Sequence, residues 1–119
     1  MVEDNPINQQ VSKLMLGKLN YEVTLAENGQ HAIDILAVAP AGRFHLILMD
    51  CQMPIMDGFD ATRAIRAGQA GSKHQQLTII ALTANAMDED KQQCLACGMD
   101  DYLAKPIQLQ TLKDKLEQY

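Results

Sequence analysis

Two textures alternate along the chain. Short apolar or β-branched runs stand at Tyr21–Ala26, Phe44–Met49, Leu77–Leu82 and Tyr102–Ala104. Between them lie longer stretches whose apolar residues recur every three or four positions, the period of a helix with one buried face. The first, Pro6–Leu19, carries Ile7, Val11, Leu14, Met15 and Leu19. Asn5 is placed to cap it, and Pro6 takes the first helical position, where a missing N–H costs nothing. Gly29–Ala39 carries Ala32, Ile33, Leu36 and Ala37 behind Asn28, and Pro40 stops it. Gly58–Ala67 follows Asp57 and ends before Gly68. Asn85–Cys97 runs to Gly98, which suits a left-handed C-terminal cap, and Ile107–Gln118 closes the chain.

Strands separated by helices of this length predict parallel pairing through crossovers, with helices covering both faces of one sheet. The run Leu46–Met49 is apolar at every position, as a strand buried on both faces must be. The segment Ala67–Gln76, with Gly68, Gly71 and Ser72, reads as the most flexible connection. The start is unusual. Only Met1 and Val2 precede the acidic pair Glu3-Asp4, although a strand ordinarily has ~5–6 residues. That shortness predicts a single domain over residues 1–119, excised from a longer chain with its first strand trimmed.

Composition narrows the function classes. A chain of 119 residues suits one domain and buries roughly two-thirds of its unfolded surface. Ten Lys and Arg against 15 Asp and Glu give a net charge of −5. With no basic patch or aromatic stacking surface, direct nucleic-acid binding has no support. No apolar run reaches the ~18 residues of a membrane span, so this domain makes no membrane contact, and the start lacks a signal-peptide profile. Three cysteines, Cys51, Cys94 and Cys97, without a secretion signal argue for reduced thiols in the cytoplasm. Cys94 and Cys97 form a C-x-x-C pair, but there is no second pair, and His31, His45 and His74 sit at no ligand spacing. The thiols read as helix-packing residues.

In open parallel sheets, function gathers beyond the carboxyl ends of the strands. The polar residues there are few: Glu3 and Asp4 after the first strand, Asp50 after the third, Thr83 after the fourth, Lys105 after the fifth. Three clustered carboxylates repel one another unless a cation lies among them. A hard divalent ion fits, and Mg²⁺ fits best, because it takes oxygen ligands and bridges readily to phosphate. One carboxylate can then act as a nucleophile and form an acyl phosphate. Lys105 would balance one phosphoryl oxygen, with the Thr83 hydroxyl or nearby backbone N–H groups on another.

Four segments carry a resemblance that covers essentially the whole chain. They are Val2-Glu3-Asp4-Asn5-Pro6, Met49-Asp50-Cys51-Gln52-Met53-Pro54-Ile55-Met56-Asp57-Gly58, Leu82-Thr83-Ala84-Asn85-Ala86 and Asp101-Tyr102-Leu103-Ala104-Lys105-Pro106. In order and spacing they resemble the receiver domains of two-component response regulators. The wording of Asn5-Pro6-Ile7-Asn8-Gln9, Asp50-Cys51-Gln52-Met53-Pro54 and Gly98-Met99-Asp100-Asp101-Tyr102 is most similar to receivers within hybrid sensor histidine kinases. The resemblance implies an α/β, flavodoxin-like (CheY-like) doubly wound sheet of five parallel strands, order 2-1-3-4-5. It implies that Asp50 is the phosphoacceptor. Glu3 and Asp4 hold Mg²⁺, Asp4 the more directly, with the Gln52 backbone carbonyl as a further ligand. Thr83 becomes the switch hydroxyl, Lys105 the phosphate-pairing lysine and Tyr102 the switch aromatic. A cis Lys105–Pro106 bond is also implied.

The expected function is therefore a phosphorylation switch. A histidine kinase or histidine phosphotransfer domain would donate to Asp50, and the domain would catalyse its own Mg²⁺-dependent transfer and slow dephosphorylation. Inward movement of Thr83 and Tyr102 would alter the face made by the fourth helix, fifth strand and fifth helix, where an output partner would bind. Two other classes compete. An aspartyl-phosphate phosphatase would carry a second Asp two residues after its nucleophile; here that residue is Gln52, whose amide cannot shuttle protons. A degenerate receiver acting only as a docking module is opposed by the intact acidic, Thr and Lys positions. Asp57 and Asp100 read as cap or turn residues.

Overall fold

The computed structural model describes residues 1–40, 42–51, 56–83, 88–105 and 107–119, with only the backbone of residues 88–90. Strand β1, Leu46–Asp50, has four of its five residues buried, and β2, Thr78–Thr83, has five of six. The alternation of a strand explains where these side chains go. Ile47, Met49, Ile79 and Ala81 meet one cluster, with residues of α2 (Gly29–Val38), α3 (Gly58–Arg66) and α4 (Asp88–Cys97). Leu48, Ile80 and Leu82 meet the other, with Leu16 of α1 (Pro6–Lys18) and Leu112 and Leu116 of α5 (Leu109–Gln118). The sheet is thus sandwiched between two helical layers. That is why the runs Leu46–Met49 and Ile79–Leu82 are apolar without interruption.

Strands β1, β2 and β3 (Asp101–Ala104) pair in parallel in that order. Val2 extends the sheet beyond β1, forming parallel bridges to both Met49 and Ala26. The Val2 N–H donates to the Leu48 carbonyl at 2.7 Å, and Asp50 N donates to the Val2 carbonyl at 3.0 Å. On its other side, Glu3 N donates to the Ala26 carbonyl at 3.0 Å, and Ala26 N donates to the Met1 carbonyl at 2.9 Å. Counting these bridged segments as the first two strands, the order is 2-1-3-4-5, as expected. One expectation needs correction: the run Tyr21–Ala26 does not form a full strand, because its neighbour offers it only Met1 to Glu3. Ala26 alone is bridged.

The caps follow the sequence. The side chain of Asn5 accepts from Ile7 N and Asn8 N, that of Asn28 from His31 N, and that of Asp57 from Asp60 N. Gly98 ends α4 at φ 111°, and a side chain there would also crowd Arg66. The face of α1 differs from the expectation. Leu16 and Ser12 are its buried residues, while Ile7, Val11 and Leu14 are 72, 45 and 68% exposed. All three cysteines are free and buried, as expected, with Cys51 Sγ 3.9 Å from Cys94 Sγ. Burial and the neighbouring thiol push the Cys51 thiol far up, so it stays protonated and inert.

The connection after α3 is more ordered than its glycines suggest. It holds a 3-10 turn at Ser72–His74, and the buried His74 meets the Ala39 carbonyl at 3.1 Å. Arg66 gathers the rest. Its guanidinium donates to the carbonyls of Gln75 (2.7 Å), Leu77 (2.7 Å) and Gly98 (2.8 Å), and to Asp100 Oδ2 at 2.9 Å. Asp100 accepts Ile79 N on the same oxygen at 2.8 Å, so it staples the start of β2 instead of merely turning the chain.

Candidate functional site

Parallel register fixes which residues meet at the carboxyl end of the sheet. Asp50 pairs with Leu82, so Thr83 lies one step beyond it on the neighbouring strand; Thr83 in turn pairs with Ala104, which puts Lys105 one step further on. Backbone bonds hold this stagger, with Lys105 N donating to the Thr83 carbonyl at 2.7 Å and Cys51 N to the Leu82 carbonyl at 3.1 Å. Glu3 and Asp4 arrive from the other side because Val2 is bound into the sheet beside Met49.

The result is a crevice with an excess of negative charge. Carboxylate oxygens of Glu3, Asp4 and Asp50 all lie within 4.8 Å of one another, the one such group of potential metal ligands among the described residues. Glu3 and Asp50 are buried, whereas Asp4 is exposed and marks the open side. The Lys105 ammonium reaches Asp50 Oδ2 at 3.0 Å and Glu3 Oε2 at 3.2 Å. Burial alone would lower the Lys105 pKa, but the two carboxylates overcome it and hold the ammonium above its ordinary value. Three carboxylates against one ammonium leave two negative charges, which one divalent cation neutralises.

Glu3 is the least available ligand. Its Oε1 accepts from Asn5 N at 3.2 Å and Asn8 Nδ2 at 3.5 Å, while Oε2 takes Lys105. Its own backbone carbonyl is tied to Gln9 Nε2 at 2.6 Å. Asp4 faces solvent, and Asp50 ends its strand beside it. The donor set is oxygen only, carboxylate-rich and open on one side, and it suits Mg²⁺ better than any softer metal.

Thr83 is buried at the end of β2. Paired residues of a parallel sheet point to one face, and Tyr102 pairs with Ala81, so Tyr102 and Thr83 share the face covered by α4. The Tyr102 ring has Lys91 Nζ 4.8 Å and Lys115 Nζ 5.6 Å from its centroid. The expected ligand carbonyl of Gln52, the neighbouring Asn85 and the Lys105–Pro106 bond lie outside the described residues. Sequence reading missed Lys91 and Lys115, and it missed the exposed stripe on α1. The spacing of Ile7, Val11 and Leu14 is plain in the sequence, but a core face has the same spacing.

Comparison with known proteins agrees with this geometry. Residues 1–117 match the family described as the response regulator receiver domain. The chain is 37% identical over 119 residues to hybrid signal transduction histidine kinase A of Dictyostelium discoideum, covering all of this chain and 5% of that protein. It is 45% identical over 106 residues to the sensor protein GacS of Pseudomonas syringae pv. syringae, covering 89% of this chain and 11% of that one. These relatives are therefore many times longer. Among solved structures, the receiver domain of a sensor histidine kinase from Pseudomonas aeruginosa PAO1 superposes with a TM-score of 0.87 at 45% identity, covering 99% of this chain and 92% of that one. That protein holds a magnesium ion in its active-site cleft. A chain from the co-crystal of the histidine phosphotransfer protein Ypd1 with the receiver domain of Ssk1, from Saccharomyces cerevisiae, matches with a TM-score of 0.86. Its identity is 37%, covering 99% of this chain and 84% of that one.

Proposed function

The chain belongs to the response regulator receiver domain family, and from that premise we propose that it accepts a phosphoryl group from a phosphohistidine onto Asp50. The observation that carries this reading is the Lys105 ammonium set between Asp50 and Glu3, with Asp4 opening the same crevice to solvent. The nucleophile is a carboxylate oxygen, which attacks without a general base. One oxygen of Asp50 forms a new P–O bond. The donor's P–N bond breaks, and its electron pair returns to the imidazole nitrogen. Lys105 is placed to leave Asp50 for a phosphoryl oxygen as charge builds there. Thr83 lies on the adjoining strand end, where its hydroxyl would follow the new dianion. Bound Mg²⁺, held by Asp4, Asp50 and the Gln52 carbonyl with Glu3 behind them, would neutralise the two remaining charges and polarise the phosphoryl group.

The donor is a histidine kinase or histidine phosphotransfer domain, and the exposed Ile7, Val11 and Leu14, of which Val11 lines a groove with Glu3 and Lys105, would seat it. The similarity to hybrid sensor kinases supports a receiver that works within such a longer protein, on the cytoplasmic side, where its free thiols stay reduced. No helix among the described residues is long and apolar enough to cross a membrane. An output partner would read the face of α4, β3 and α5 as Tyr102 turns inward. Hydrolysis of the acyl phosphate by water would reset the domain slowly.

The test is incubation with Mg²⁺ and acetyl phosphate, followed by intact mass. A single phosphoryl adduct that requires Mg²⁺ and is lost in Asp50→Asn is the expected outcome. A folded protein that gains no adduct, or one whose Asp50→Asn variant gains it equally, would overturn the assignment.

A further inference from the structure

The side chain on which the proposed switch turns is itself held from two helices. Lys91, on α4, and Lys115, on α5, both place ammonium groups within cation–π range of the Tyr102 ring, at 4.8 and 5.6 Å. Lys115 is fixed in that position by Asp101, whose Oδ2 accepts its Nζ at 2.8 Å. The same oxygen accepts the Tyr119 hydroxyl at 2.9 Å, and Oδ1 accepts Tyr102 N at 2.8 Å. A carboxylate, a lysine and a tyrosine thus form one knot beneath the ring, while the second lysine reaches it from the helix that covers the face shared with Thr83.

Rotation of Tyr102 out of this position would carry the ring away from both ammonium groups. An interaction made in one state and lost in the other shifts the equilibrium between them by its full worth. We infer that Lys91 and Lys115 are positioning residues that hold Tyr102 in the resting position seen here and so set the threshold of the switch. The inference rests on the proposed coupling of Asp50 to Tyr102, and it adds the restraint against which that coupling works. Each partly exposed cation–π contact of this kind is worth a population change of roughly two- to fivefold.

The test uses the whole domain with ring-labelled tyrosine, observed by NMR with Mg²⁺, before and after addition of beryllofluoride. Lys91→Met should raise the ratio of displaced to resting Tyr102 about two- to fivefold in the absence of beryllofluoride. Lys91→Arg, which keeps the cation, should return it to the wild-type value. Lys115→Met gives an independent second removal and should move the ratio in the same direction. Fluorine signals of bound beryllofluoride report the Asp50 site separately and should be unchanged in the Lys91 variants. If the wild-type ring moves on binding but both Met variants keep the wild-type ratio, the restraint is refuted and the switch stands. If beryllofluoride binds and the wild-type ring stays in its resting position, the switch fails, and the restraint with it.

Discussion

Lys105 is charged because two buried carboxylates need it, and they tolerate burial because it is there. Replacing it with methionine removes the one cation, among the described residues, positioned for the incoming phosphoryl oxygens. Acceptance from acetyl phosphate should slow about a hundredfold in Lys105→Met. A rate within about twofold of wild type would take Lys105 out of the chemistry. Asp101 supplies a second test at this scale. Burial would raise its pKa, but Lys115, the Tyr102 N–H and the Tyr119 hydroxyl together hold it below the ordinary 3.8. A carboxyl with a depressed folded pKa stabilises the fold above its unfolded value, and loses that contribution as pH falls through the folded one. Asp101→Asn should therefore cost about 1–2 kcal/mol at neutral pH. The deficit should shrink below pH 3.8, which urea titrations at both pH values would read.

Helix α3 begins where β1 ends, and the two meet at Gly58. Its N–H donates to the Cys51 carbonyl at 3.2 Å, and a β-carbon there would overlap the Asp50 carbonyl oxygen. Alanine ordinarily favours a helix over glycine, yet Gly58→Ala should destabilise this one by about 1–3 kcal/mol through the forced shift. An unchanged urea midpoint would mean the helix docks more loosely than described. Much at this scale was legible in the sequence, because helix ends are decided locally: Asn5, Asn28 and Asp57 each cap the helix they precede. Strands β1 and β2 were legible because burial on both faces leaves no polar interruption. The run Tyr21–Ala26 misled, since strand propensity cannot report the length of the neighbour it must pair with. Helix α1 misled too, because Ile7, Val11 and Leu14 have the same spacing whether they face core or solvent. Glu3, Asp4, Asp50 and Lys105 could be gathered from afar because each follows an apolar run. Lys91 and Lys115 could not, since only the packing of α4 and α5 brings them to Tyr102.

Taken whole, the sheet carries its chemistry at one end and its fastening at the other. Arg66 → Met would leave three carbonyls and Asp100 without their shared donor, and should cost about 3 kcal/mol. Adduct formation at Asp50, measured on the fraction that stays folded, should be preserved, because the guanidinium binds the opposite ends of β2 and β3. Loss of the adduct from folded Arg66→Met protein would mean that the two ends are coupled more tightly than this arrangement implies. The guanidinium also grips Gly98, the residue that closes α4. Whatever displacement phosphorylation imposes on α4 should therefore be smallest beside Gly98 and grow towards Asp88, like the throw of a lever measured from its pin.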